Sequence, residues 1–134
     1  MNTAEAEQFV RETKQAVLVT IGKDGRPQTS NVLVVYHDGE LQLSIAETRV
    51  KYRNLVRDPR VTVHLVGASF WQWLAVEGRA TMTTMPDALP MLHSYYELAT
   101  GGPHPDWDEY DRAMAAERRV FASISIDRMY PVSG

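Results

Sequence analysis

Hydrophobic and polar positions follow two rhythms along this chain. In residues 40–46 they alternate, with Leu41, Leu43 and Ile45 on one face and Gln42, Ser44 and Ala46 on the other, which is the pattern of a half-buried strand. Val61, Val63 and Leu65 alternate with Thr62 and His64 in the same way, and residues 119–126 alternate again. Residues 16–22, AVLVTIG, form an apolar run rich in β-branched residues and read as a buried strand. Asp24-Gly25 then supplies a tight turn into a second strand, Pro27 to Tyr36, and His37-Asp38-Gly39 turns that strand into residues 40–46. The three predict an antiparallel meander. Residues 71–83 read as a long fifth strand. Its core face carries Leu74, Val76, Ala80 and Met82, and its other face Trp71, Trp73, Glu77 and Arg79.

Between the strands the spacing turns helical. Residues 4–14 predict a short N-terminal helix. Thr48 is placed to cap a helix of about nine residues ending before Asp58-Pro59, with Tyr52, Leu55 and Val56 on one face. Thr84-Met85-Pro86 opens a third helix, to about Ala99. A fourth, about 106–118, follows the loop 101–105, with acids at its start and Arg118 at its end. The resulting order, β-β-β-α-β-β-α-α-β, predicts a small, mainly antiparallel closed barrel with helices outside it. With 134 residues and no linker or repeat, the whole chain reads as one domain.

Composition narrows the chemistry. The chain has no cysteine, which excludes thiol catalysis, disulfides and cysteine-ligated metals. No apolar run approaches the ~20 residues that span a bilayer, and Met1 to Gln8 lack a signal-peptide core, so a soluble, cytoplasmic protein is expected. A net charge of −3 argues against nucleic acid as a partner. Yet residues 47–60 hold Arg49, Lys51, Arg53, Arg57 and Arg60 against Glu47 and Asp58. Arg49 and Lys51 fall in the first turn of the predicted helix, where cations oppose the dipole, and Lys51 sits where a capping box would place Glu or Gln. They suit either an anion clamp or surface pairing with Glu47 and Asp58. Arg53 and Arg57 read as surface charges. Trp71 and Trp73 need a cover, which a subunit interface, a flat ligand or the later helices would provide. His37, His64, His93 and His104 have no metal-ligand spacing, and Asp106-Trp-Asp-Glu reads as helix-start charge. No self-sufficient catalytic motif occurs, so an enzyme of this sequence would rely on a cofactor.

The run from AVLVTIGKDGRPQ to DPRVTVHLV resembles the pyridoxamine-phosphate-oxidase-like split β-barrel superfamily. Its S-I-A-x-x-R-x-K-x-x-N-L-x-x-D-P stretch carries the likeness to the actinobacterial branch that uses the deazaflavin coenzyme F420. The likeness continues through WQWLAVEGRA, HPDWDEY and RRVFASISIDRMY. The resemblance implies a homodimer with cofactor sites between subunits. It implies phosphate clamping by Arg49 and Lys51. Asn31, Val32 and Leu33, then Ser44, Ile45 and Ala46, would run along the ring, and Trp71 and Trp73 would close the groove. The chain ends at Met129-Tyr-Pro-Val-Ser-Gly, without the arginine-bearing segment that binds pyridoxal phosphate in the oxidases proper, so vitamin B6 oxidation is not expected. The implied activity is hydride transfer between F420 and a small conjugated acceptor. An FMN-binding redox protein and a non-catalytic F420 carrier are the alternatives.

Overall fold

The computed structural model describes residues 1–133. Strand β1 (Gln15–Ile21) pairs antiparallel with β2 (Pro27–Leu33) across the predicted turn, where Gly25 takes φ +85°. The single strand expected over 27–36 is broken at Val34. Beyond it, β3 (Val35–His37) leaves β1 and pairs with β4 (Glu40–Ala46). Val34 and Val35 are both buried, which a flat alternating strand does not allow, and the Val34 N–H donates to the Lys14 carbonyl at 2.8 Å. The meander is thus divided between the two ends of one curled sheet.

Strand β6 (Trp73–Thr83) holds those ends together by changing partners. Residues 73–79 pair with β5 (Arg60–Val66), and residues 80–83 pair with β7 (Arg119–Ser125). The sheet order is β2-β1-β5-β6-β7-β4-β3, antiparallel throughout. A short strand absent from the sequence reading, β8 (Arg128–Tyr130), adds to β6. Leu18, Val63, Leu65, Leu74 and Val76 from one half of the sheet meet Leu41, Leu43, Ile45, Ala122 and Ile124 from the other in a single core. This is the split barrel with outer helices that the resemblance implies.

Four helices flank it: α1 (Thr3–Glu12), α2 (Val50–Arg57), α3 (Ala88–Thr100) and α4 (Trp107–Ala116). Helix α1 starts on a full capping box between Asn2 and Glu5. Helix α2 departs from expectation in two ways. Its N-cap is Arg49, not Thr48, and no side chain caps it. Its buried face is Asn54 and Leu55, whereas Val56 is 61% exposed. The helix is rotated because Asn54 finds a partner below it: its amide donates to Thr20 Oγ1 at 3.0 Å, and its Oδ1 accepts from Arg57 at 2.9 Å. Helix α3 begins at Ala88, after a turn in which the Ala88 N–H donates to the Thr84 carbonyl. Helix α4 ends before Arg118, which lies outside it at φ +54° and so does not complement its dipole.

Helices α3 and α4 join through a second small core of Ala88, Leu92, Tyr110 and Phe121, with His93 stacked on Trp107 and its Nε2 2.5 Å from Asp111. Burial, with Tyr95 nearby, pushes the Tyr110 phenol up to about 12, and its hydroxyl donates to the Leu92 carbonyl. Because the folded state holds this proton above the unfolded value of about 10, its stabilising contribution is intact below pH 10. It is lost as pH rises towards 12, at about 1.4 kcal/mol per pH unit. Urea titrations between pH 9 and 12 are expected to show that decline, and Tyr110→Phe to flatten it.

Candidate functional site

Strand β2 ends the sheet order, so among the described residues no strand lies on the edge facing away from β1. Opposite that edge the C-terminal end of β4 leads through Glu47 and Thr48 into α2. The gap is a cleft of about 490 Å³ lined by Gln28, Ser30 and Asn31 from β2, Ala46, Arg49, Val50 and Lys51, and Arg119 from β7. Asn31 is shared with a second hollow of about 530 Å³, where Val32 and Leu33 join Gln15, Ala16, Val17 and Val66. Volumes of this size match those of small-ligand sites. A basic cleft and a largely apolar hollow thus share Asn31 of the edge strand.

The electrostatics of the basic part are unbalanced. The carboxylates that could neutralise Arg49 and Lys51 are engaged elsewhere: Glu47 Oε2 takes Arg118 Nη2 at 2.9 Å, and Asp58 Oδ2 takes Arg60 Nη2 at 2.8 Å. Among the described residues neither Arg49 nor Lys51 has an ion-pair partner. The Lys51 ammonium donates only to Ser30 Oγ, at 3.3 Å. Burial, then Arg49 and Arg119, hold its pKa below the usual lysine value. Three cations crowd one partly desolvated space at a helix start whose first turn carries no acid. This arrangement rejects the surface-pairing alternative and fits an anion.

The structure brings Asn31, Ala46, Arg49 and Lys51 into the cleft, and Val32 and Leu33 into the hollow beside it. Ser44 and Ile45 lie outside both linings. Ile45 is fully buried in the barrel, and the Ser44 hydroxyl is enclosed with no hydrogen-bond partner among the described residues. Trp73 lies on the sheet face outside the barrel, stacked on His64 at 5.2 Å and paired in register with Val66 of the hollow. Trp71 is not in the strand. The Gly67 N–H donates to the Gln72 carbonyl, closing a loop that leaves Phe70 and Trp71 about 80% exposed, edge to face. Sequence reasoning missed Arg119, since an arginine opening a closing strand has no local motif. Arg53 and Arg57 are exposed, as expected, with their guanidinium groups on the Thr48 and Ile21 carbonyls.

A curled antiparallel sheet with a basic cleft beside its open β2 edge defines a split barrel. The pyridoxamine 5'-phosphate oxidase family signature matches residues 3–133, and the chain belongs to that family. The conserved hypothetical protein Rv2991 from Mycobacterium tuberculosis is 30% identical, with 96% of this chain and 82% of that chain covered at TM-score 0.75. An F420 reductase superposes at TM-score 0.66 and 20% identity, over 92% of this chain and 94% of its own. A FAD-binding protein from Mesorhizobium loti does so at 0.69 and 16%, over 96% and 92%. Among the described residues no helix is long and apolar enough to cross a membrane.

Proposed function

We propose that this protein is a homodimeric F420-dependent reductase of a small conjugated acceptor. The observation that carries the reading is that a cleft with uncompensated Arg49 and Lys51 and an apolar hollow share Asn31 in their linings. A phosphate arm and a flat ring need that combination, and the fold likeness to an F420 reductase supports the choice of deazaflavin. When bound, the cofactor supplies hydride chemistry. The chain itself supplies the rest. Arg49 and Lys51 hold the phosphate, and Ser30 steadies the lysine. Val17, Val32, Leu33 and Val66 exclude water from the ring, and the Tyr95 hydroxyl ties the Leu33 carbonyl to α3 at 2.9 Å.

A second subunit is part of this reading. Val17, His64, Val66, Trp73 and Tyr130 lie on the outer sheet face, with Leu33 57% and Tyr130 56% exposed. A partner covering that face would also roof the hollow, and a specific interface buries at least ~1,000 Å² in total. Light scattering at micromolar concentration is expected to report a dimer; a monomer would sink the roofed-site reading. Titration of the purified protein with F420 and with FMN tests the cofactor. Tighter F420 binding, with turnover of the reduced form by quinones or enones, supports the reductase. A yellow protein carrying FMN favours the flavin alternative, and F420 binding without turnover favours a carrier.

A further inference from the structure

Arg119 is the one cation of the cleft that comes from neither α2 nor its approach. Register sets it opposite Ala46, whose carbonyl accepts the Arg49 N–H at 3.1 Å. Two features fix its position. The preceding residue, Arg118, turns the chain off α4 in the left-handed region at φ +54°, an uncommon conformation for a residue with a side chain. Arg118 is clasped to the segment that follows β4, on the same side of the split: its carbonyl accepts the Glu47 N–H at 3.0 Å, and its guanidinium binds Glu47 Oε2. The Arg119 side chain is itself held at one edge, where Nε and Nη2 both donate to Glu117 Oε1 at 3.1 and 2.8 Å. A guanidinium has five N–H donors, so three have no partner among the described residues, on a side chain that lines the cleft.

We propose that Arg119 completes a three-cation site selective for a doubly charged anionic group over a singly charged phosphodiester. The inference rests on the cofactor reading above and deepens it. Arg49 and Lys51 already exceed the charge of one diester. Arg119 adds a third cation, of which Glu117 balances one. Two net positive charges then line the cleft, from α2 with its approach and from the start of β7. A terminal phosphate monoester meets that demand, and so does a diester with a carboxylate close behind it. A lone diester leaves one cation unanswered in a partly desolvated space, which is unfavourable.

The test compares wild type, Arg119→Gln and Arg119→Lys with four ring ligands: riboflavin, FMN, the deazaflavin core lacking its phosphate arm, and F420. The readout is the ratio of Kd values without and with the anionic arm, which separates terminal phosphate from diester plus carboxylate. Arg119→Gln is expected to cut that ratio about tenfold while leaving the arm-free ligands unchanged. Arg119→Lys should stay within about threefold of wild type. An arm ratio equal in wild type and Arg119→Gln overturns the proposal. If no ring ligand binds wild type, the cofactor reading fails by itself, and small anions decide the role of Arg119. Inorganic phosphate at about pH 8, where it is mainly the dianion, should then raise the wild-type Tm more than dimethyl phosphate does, and that preference should vanish in Arg119→Gln. Absence of the preference in wild type, or its persistence in the variant, overturns the three-cation site.

Discussion

Changing Lys51 to alanine is expected to weaken binding of a phosphate-bearing cofactor roughly tenfold to a hundredfold and to leave the apo protein as stable as before or slightly more so. The affinity loss follows from removing one charge-assisted hydrogen bond to phosphate, worth about 1.5–3 kcal/mol. The stability result follows from the site itself. Lys51 is half-buried beside Arg49 and Arg119, and among the described residues its ammonium makes a single, long hydrogen bond, to Ser30. Its depressed pKa means that the folded state disfavours the charged form. The penalty is present at neutral pH, and it lifts only as pH climbs through the lowered folded value towards the unfolded 10.5. Removing the ammonium removes the penalty. An ordinary surface ion pair behaves in the opposite way, with unaltered affinity and up to ~1 kcal/mol of lost stability. Cofactor titration and a thermal melt on this variant separate the two, and unchanged affinity with a lower melting temperature refutes the clamp.

Much of the site was legible in local pattern, and the exceptions share a cause. Arg49 and Lys51 stand out because cations at a helix start contradict the dipole, a conflict visible within four residues. The strand alternation of residues 40–46 and 61–65 marks the core face without knowledge of the fold. Arg119 lies about seventy residues from Arg49, and only the pairing of β7 with β4 makes them neighbours. The rotation of α2 likewise depends on Thr20, thirty-four residues away, because a buried asparagine goes where its hydrogen bonds are. Trp71 reads as strand from the alternation of residues 71–83, but the Gly67 to Gln72 loop closes before the ladder starts. The bend at Val34 is also non-local, since it places β2 on β1 and β3 on β4. Periodicity reports which face a residue takes. It does not report which strand lies alongside.

The same limit hides the tightest of the glycine positions, Gly78, where alanine is expected to cost about 3 kcal/mol or more, enough to prevent folding in a marginal domain. A glycine inside a strand marks weak pairing, a bulge or close backbone approach, and here it is close approach. A Cβ on Gly78 would lie 1.7 Å from the carbonyl oxygen of Ser125 and 3.2 Å from Ile124 Cγ2. The place is structural: β6 leaves β5 and joins β7 at Arg79 and Ala80, so the end of β7 crosses directly over it. The crossing segment has little freedom to withdraw. The Arg79 N–H donates to Ser125 Oγ at 3.0 Å, and the Asp127 N–H donates to the Glu77 carbonyl at 2.9 Å. Both neighbours of Gly78 are thereby tied to the strand that a methyl group would have to displace. Gly102→Ala is the control, because nothing lies within 4 Å of a Cβ there. Urea denaturation of the two variants should show Gly102→Ala within about 0.5 kcal/mol of wild type, and Gly78→Ala unfolded or strongly shifted. A Gly78→Ala protein within about 1 kcal/mol of wild type would mean that β6 and β7 can separate at the crossing, and that the split barrel is not closed there by backbone contact.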